Sequence, residues 1–588
     1  MMKPVRTGLL LMISFLLSAC AHLDTATQPT AADRLAQLIE KEQDFRDRKN
    51  PFNKENKILY YDLSPETLAE QHQSLSRIYQ QLMQIDVSEL SVEEQINHAI
   101  LAYRIKNDID SYDNFDHYLP ITSEAGFHAY LTFMISSSSF NTAEDYQLYI
   151  DRLNALPKYF DQQIYWMRQG LATGMTQPQV VLQGFEQSIE AFIVDDAKDS
   201  EFYQPFNRFP AHIDEATQAL LKQQAQRVIT QAVVGSYQVF YDFMVNEYIP
   251  GARQTIAAKD WPNGEAIYLN RVKHYTTLDL TVDEIHQIGL DEVARIRAEM
   301  DAIIDEVGFT GSFAEFVQFL RTDPQFYATT PEQLLKEASY IAKQMDAKLP
   351  SLFKTLPRTP YGVIEVPASI APKYTTGRYS GPSRDDQAGN YWVNTYALDR
   401  RPLYVLEALT LHEAVPGHHL QGSIAREMEN VPKFRRQTYI SAFGEGWGLY
   451  SEYLGIEAGF YQDPYSDFGR LTYEMWRAVR LVVDTGIHMK GWTRQQAMDY
   501  LANNSALSLH NVKTEIDRYI SWPAQALSYK LGEIKIKALR NKAEKALAED
   551  FDLREFHDKV LENGSIGLTL LEQRIDAYIN ETLAAKKR

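Results

Sequence analysis

The stretch Tyr404-Val-Leu-Glu-Ala-Leu-Thr-Leu411 runs directly into His412-Glu413-Ala414-Val415-Pro416-Gly417-His418-His419. The lead-in is apolar at most positions and reads as a buried helix, so His412 and Glu413 ride on helical backbone inside the protein. Three of the chain's fourteen histidines fall within these eight residues, the density expected of metal ligands. In the H-E-x-x-H arrangement, histidines at i and i+4 share one helix face and hold Zn²⁺, while the glutamate activates water. Here position i+4 is Pro416, and the next histidines are i+6 and i+7. On an unbroken helix His418 lies about 240° round, off the face. His419 shares the face but sits about 10 Å along the axis. Pro416-Gly417 is the composition of a helix break. A break there turns His418 back onto the ion, with His419 supporting it from outside or standing in as the ligand.

A third ligand is needed. Downstream lies Phe443-Gly444-Glu445-Gly446-Trp447-Gly448-Leu449-Tyr450-Ser451-Glu452. Glu445 follows His418 by 27 residues, room for one helix to end and another to pack back antiparallel. A carboxylate among glycines implies that something approaches the backbone closely. Glu445 is therefore the expected ligand, with Glu452 as the alternate. Two imidazoles and one carboxylate leave a coordination position for water, the arrangement of a catalytic zinc. One Zn²⁺ per chain is expected, with Glu413 left over as general base.

Further groups are needed for a developing oxyanion and for a charged substrate end. Arg477, Arg480, Asp484 and His488 recur at helical spacing and form one stripe. His488 is the stripe's catalytic candidate. Tyr519 and Tyr529 are candidate hydroxyl donors. Arg480 or Arg518 could clamp a carboxylate bidentately. The alternating run Gly389–Thr395, which contains Asn394, is a candidate edge for an extended peptide. His286, His510 and His557 read as structural.

The rest of the chain bounds these readings. Its 588 residues carry a net charge of −19, which argues against nucleic acid as a partner. Cys20 is the single cysteine, so internal disulfides and cysteine zinc sites are excluded. It closes Leu17-Ser18-Ala19-Cys20 after a short basic start and an apolar run too brief to span a bilayer. That string resembles the bacterial lipobox, where cleavage precedes a cysteine that carries a diacylglycerol. Residues 1–19 then form a lipoprotein signal peptide and 20–32 a tether. The absence of Asp after Cys20 favours the outer membrane, with the protein facing the periplasm. Acyl chains at about 0.8 kcal/mol per buried methylene make that membrane contact stable.

Helical periodicity fills about 64–85, 91–112, 142–170, 176–195 and 212–247. Thr281 to Glu284 is a capping box opening a helix over 281–307, and Pro331 opens another to about 348. Prolines break the pattern over 349–400, where Gly362–Val366 and Gly389–Thr395 alternate like strands. The expected architecture is mainly α, with a small antiparallel β element at 360–396 before the His-Glu helix. An N-terminal helical region at 33–250 would precede a catalytic helical region at 251–588.

At these residues the chain resembles the bacterial family catalogued as domain of unknown function 885, many of whose members are secreted lipoproteins. The resemblance rests on His412–Gln421, Glu445-Gly446-Trp447 with Tyr450 and Glu452, and Arg477–Trp492. It continues through Arg518-Tyr519 with Pro523–Ala526, and Phe556-His557-Asp558, covering roughly 33–585. That family looks distantly similar to Taq-type carboxypeptidases and angiotensin-converting enzyme, which implies a large helical, gluzincin-like fold with a long cleft. It also implies Zn²⁺ on His412, His418 and Glu445, with Glu413 as base. The expectation is a zinc metallopeptidase, carboxypeptidase- or dipeptidase-like, acting on short peptides in the cell envelope. The competing expectation is a non-catalytic zinc- or peptide-binding envelope lipoprotein. Glu413 argues against it, because a pure binding site has no use for a base beside its ligands.

Overall fold

The computed structural model describes residues 29–586 apart from 53–57, 369 and 385. The leader, Cys20 and most of the tether lie outside the described residues. The molecule is mainly helical, with one small sheet. Its helices start where side chains satisfy the first orphan N–H groups. Capping boxes stand at Thr30, Ser91, Thr142, Thr281, Ser312 and Thr493.

Two segments depart from the sequence periodicity. The run at 142–170 divides into Ala143–Asn154 and Leu156–Thr173, the second with Pro157 in its first turn. The run at 176–195 is not one helix. It holds a 3₁₀ turn at Gln179–Leu182 and a short helix at Glu186–Glu190. Pro178 precedes the turn, and Gly184 between them sits at φ 74°, outside helical backbone.

One hydrophobic cluster takes in residues from Ala31 to Ile579. Polar contacts also cross position 250. Arg435 reaches Glu93 and Asn97, and the Gln177 amide donates to the Ser521 carbonyl. No helix among the described residues is long and apolar enough to cross a membrane.

Seven helices position the site: α1 (Val282–Glu306), α2 (Leu406–Glu413), α3 (His418–Arg426), α4 (Ser441–Ala458), α5 (Pro464–His488), α6 (Leu509–Ser521) and α7 (Ser528–Leu547). Nearly every residue of α5 is buried. Helices α4 and α7 touch backbone to backbone, because Gly446 meets Gly532. A Cβ on Gly446 would lie 2.5 Å from the Gly532 Cα.

The sheet comprises β1 (Tyr361–Glu365), β2 (Gly377–Ser380) and β3 (Gly389–Val393), in the order β1-β3-β2. It is mixed rather than antiparallel. β2 and β3 form an antiparallel pair with Tyr379 opposite Tyr391, whereas β1 runs parallel to β3 with Val363 opposite Tyr391. The proline-bearing segment 366–376 carries the chain across the sheet between β1 and β2. Asn394 pins that segment, donating to the carbonyls of Ala371, Tyr374 and Thr375. Asn394 is thus a fully buried loop staple and not a substrate contact. β3 is the central strand, so both its edges are already paired. The free edge of the sheet on this side belongs to β2.

Candidate metal centre

Helix α2 ends at Glu413, and α3 begins at His418. The four residues between them fold back tightly. The Gly417 N–H bonds the Leu411 carbonyl at 3.0 Å, and the His419 N–H bonds Ala414 at 3.0 Å. A Cβ on Gly417 would stand 1.9 Å from the His412 carbonyl oxygen, so only glycine fits. The Trp447 indole of α4 donates to the Pro416 carbonyl at 2.8 Å and fixes the break.

The break sets the His412 and His418 rings 4.7 Å apart and perpendicular. Helix α4 adds Glu445, whose Oε2 lies 3.6 Å from His412 Nε2 and 3.3 Å from His418 Nε2. The glycines of α4 make this approach possible. A Cβ on Gly448 would lie 2.6 Å from the His412 ring, and one on Gly444 would lie 2.3 Å from the Tyr439 ring. Ligand atoms from His412, His418 and Glu445 all fall within 4.8 Å of one another.

These donors fit zinc. Two imidazole nitrogens and one carboxylate oxygen match its preferences, and a tetrahedron with Zn–N and Zn–O bonds near 2.0–2.1 Å has edges of about 3.3 Å. Both imidazole-to-carboxylate separations lie close to that value.

The surroundings orient the three. His412 Nδ1 is 2.7 Å from Glu452 Oε1, which presents Nε2 toward Glu445. A carboxylate behind a ligating histidine fixes its tautomer and raises its basicity. Glu452 is therefore an orienting group, not one of the three that converge. Arg477 of α5 stands behind it in turn, 3.3 Å from the same oxygen. Burial opposes a proton on His412, but Glu445, Glu452 and Glu413 outweigh it and push its pKa up to about 10. Burial likewise opposes charge on Glu445, yet His418 and His412 hold its carboxyl well below the usual range. The Tyr439 hydroxyl donates to Glu445 Oε1 at 2.9 Å. Glu413 lies beside the three, with its Oε2 accepting the Tyr379 N–H of β2 at 2.7 Å.

His419 points elsewhere. Its ring packs against Tyr361 and Tyr379, and its Nδ1 meets the Tyr379 hydroxyl at 3.0 Å. Burial lowers its pKa to about 4.

Several candidates from the α5 stripe are closed off by the protein. His488 Nδ1 accepts the Ala258 N–H at 3.0 Å, and its Nε2 lies 3.0 Å from the Tyr519 carbonyl. No ring nitrogen remains for catalysis, which corrects the role expected of His488. Burial takes its pKa down to about 3. The Tyr519 hydroxyl accepts from Trp476 and from Arg480, each at 2.8 Å, and also bonds Glu515. It has no capacity left for an oxyanion. Arg480 is buried, bonded to Tyr519 and Glu515 and held between Trp476 and Tyr529. It is interior scaffold rather than a substrate clamp. Asp484 accepts from the Tyr268 hydroxyl at 2.6 Å and from the Ala524 N–H. Arg518 differs, because it faces Glu124 of the N-terminal region at 3.8 Å and the Tyr529 hydroxyl at 3.4 Å.

Two groups at the site lie outside every motif: Tyr439, and the Tyr379 N–H of β2.

Comparison with known proteins gives a consistent picture. The family model described as "Bacterial protein of unknown function (DUF885)" matches residues 54–575. A crystal structure described as "the putative lipoprotein from Colwellia psychrerythraea" superposes with a TM-score of 0.85 at 29% identity, covering 94% of this chain and 100% of that one. A second, "a putative lipoprotein of unknown function from Shewanella oneidensis", gives a TM-score of 0.65 at 17% identity over 92% of this chain and 99% of that one, and shares the fold. No curated protein matches the chain.

Proposed function

The chain belongs to the bacterial family of unknown function DUF885, and we propose that this member is a zinc-dependent hydrolase of peptide (amide) bonds. It would be a gluzincin-like metallopeptidase, carboxypeptidase- or dipeptidase-like, acting on short peptides. One observation carries the reading: His412, His418 and Glu445 converge within 4.8 Å, and a second acid, Glu413, stands beside them outside the ligand set. The zinc-peptidase architecture with a long cleft belongs to the same proposal.

Zinc held by these three side chains would supply Lewis acidity at a substrate carbonyl and would acidify water. The remaining work falls to the chain's own groups. Glu413 takes a proton from the attacking water and delivers it to the amine nitrogen as the C–N bond breaks. The Tyr379 N–H bond to Glu413 Oε2 keeps that carboxylate aimed. Glu452, backed by Arg477, holds the His412 ring. The Tyr439 hydroxyl, donating to Glu445 Oε1, steadies that carboxylate. An extended peptide would lie along the outer edge of β2, next to Glu413.

The location belongs to the proposal as well. The structural neighbours are described as lipoproteins, consistent with an envelope lipoprotein. Lipidated Cys20 would anchor the enzyme in the outer membrane, facing the periplasm.

The test is hydrolysis of a short-peptide library by the zinc-loaded protein, with and without chelator, beside Glu413→Gln. Turnover that needs zinc, and that E413Q abolishes while keeping its metal, supports the proposal. Wild-type protein that binds zinc and peptides yet cleaves none overturns it in favour of a binding lipoprotein.

A further inference from the structure

At the N-terminal end of α2, away from the metal centre, lies a cavity of about 220 Å³. Arg321, Arg400, Thr376, Thr472, Tyr473 and the first residues of α6 wall it. Val405, which also lines it, stands seven residues before His412, about 10 Å along the helix. Between the two lie Tyr473, Arg477 and Glu452. The Arg477 guanidinium carbon is 4.6 Å from the Tyr473 ring centre, Arg477 reaches Glu452 at 3.3 Å, and Glu452 holds His412 Nδ1. The cavity therefore stands on the Nδ1 side of His412, whereas Nε2 faces Glu445.

Positive charge collects there, in a chain whose net charge is −19. Arg321 donates from Nη2 to the Ser505 carbonyl at 3.0 Å, and its Nε is buried with no hydrogen-bond partner. No carboxylate among the described residues pairs with it. Burial lowers its pKa, and only Tyr404 and Tyr327 act the other way. Buried Arg401, on the same loop as Arg400, bonds the Tyr396 carbonyl and the Thr376 hydroxyl, likewise without an acid. Asp399 is the one acid among the described residues of the cavity wall. It is exposed and stands 3.9 Å from Arg400, a surface pair of little weight. Guanidinium charge taken out of water costs free energy unless an anion meets it.

Thr472 gives an independent sign of a ligand. It lies in the cavity wall only 1% exposed, and its Oγ1 has no partner among the described residues. Buried hydroxyls are normally bonded. Helix α6 adds donors. Ser508 Oγ takes the Asn511 N–H at 3.2 Å, which leaves the N–H groups of Leu509 and His510 without partners inside the helix, at the positive end of its dipole.

We propose that this cavity is a binding site for a small phosphate, free or esterified, held by Arg321, Arg400, the Thr472 hydroxyl and the N-terminus of α6. These donors come from four separate elements: the helix Phe313–Thr322, the turn Leu398–Arg400, α5 and α6. They surround the space rather than line one plane of it. A tetrahedral oxyanion accepts on every side and suits such a set, whereas a planar carboxylate leaves donors unmet. The volume lies below the roughly 300 Å³ at which pockets begin to take drug-sized ligands, so the occupant is small. The site is independent of the hydrolase reading, because none of its groups touches the reacting atoms of that proposal.

The experiment titrates inorganic phosphate, glycerol 3-phosphate and acetate calorimetrically into the full chain at constant ionic strength. It is repeated with Arg321→Gln, Thr472→Val and Arg400→Gln, each checked for folding by circular dichroism. Wild-type protein is expected to bind one phosphate saturably and to melt at a higher temperature with it. R321Q weakens binding by about 10- to 100-fold and T472V by about 10-fold, as lost hydrogen bonds to a charged group. If R321Q does not fold, T472V and the exposed R400Q decide by the same readout. Tighter binding of glycerol 3-phosphate than of phosphate supports the site with an ester, such as a lipid headgroup, as the source. Phosphate that binds equally in all three variants sits elsewhere, on the metal for instance, and overturns the site. Absence of saturable binding by either phosphate overturns it too, as does acetate binding as tightly as phosphate.

Discussion

Two buried polar regions stand next to each other in this molecule and resolve their hydrogen bonding in opposite ways. Along α5, His488 sits between the Ala258 N–H and the Tyr519 carbonyl, and Asp484 accepts from Tyr268 and Ala524. At these two side chains each acceptor meets a donor, as buried polar groups in a stable core do. Around the α2–α3 break, two imidazole nitrogens and a carboxylate oxygen point at one another. Three groups that all carry lone pairs converge on a place that calls for a cation, and the raised pKa of His412 reports the same demand met by a proton. Polar residues at helical spacing are common to both regions. What separates them is whether the protein completes their hydrogen bonds itself.

Substitutions should therefore act in opposite ways in the two regions. The largest effect is expected at the ligands. His418→Ala or Glu445→Gln abolishes stoichiometric zinc binding and all activity while the fold survives, read by elemental analysis and circular dichroism. Next, Glu413→Gln keeps zinc and lowers kcat by about 10²- to 10⁴-fold, the share of a positioned acid–base group. Glu452→Gln sharpens the comparison further. It weakens zinc affinity by about 10- to 100-fold in competition with a chelator, because His412 loses its orienting carboxylate.

His488→Ala reverses the pattern. It leaves zinc affinity unchanged and costs about 2–4 kcal/mol in urea unfolding, since a buried N–H and a buried carbonyl lose their partner. The smallest effect is the pH slope. His488 is held neutral, with its pKa lowered by burial to about 3. The unfolded histidine takes a proton near pH 6.5. Its contribution to stability is complete above pH 6.5 and drains away as the pH falls toward 3, at no more than about 1.4 kcal/mol per pH unit. His557, lowered to about 3, adds to that slope. Asp484, raised to about 7 by burial, opposes it, because its share is complete below pH 3.8 and lost as the pH rises through 7. Thermal melts between pH 7.5 and 5 should show the acid slope, and it should be shallower in H488A.

The same contrast explains what could be read from the sequence. His412, Glu413 and the Pro416-Gly417 interruption are local, and local chemistry is legible. The glycines around Glu445 announced a close approach because only a missing Cβ permits one. Alternation marked β1 and β3 but not β2, and it carries no direction, so the parallel pairing of β1 with β3 could not be foreseen. The stripe from Arg477 to His488 gave a face and not what covers it. Tyr519 and Ala258 arrive from other elements and close it. Tyr379 and Tyr439 went unmarked for the converse reason. Neither lies in a motif, and each reaches the site only through the packing of the sheet and of α4.

The most direct test of the central claim is a crystal of the zinc-loaded protein, measured on both sides of the zinc absorption edge. The account predicts one anomalous peak per chain, about 2.0–2.2 Å from a ligand atom of His412, His418 and Glu445, with Glu413 and His488 uncoordinated. A zinc-saturated crystal with no peak at these three residues, or with the ion on other side chains, would contradict it.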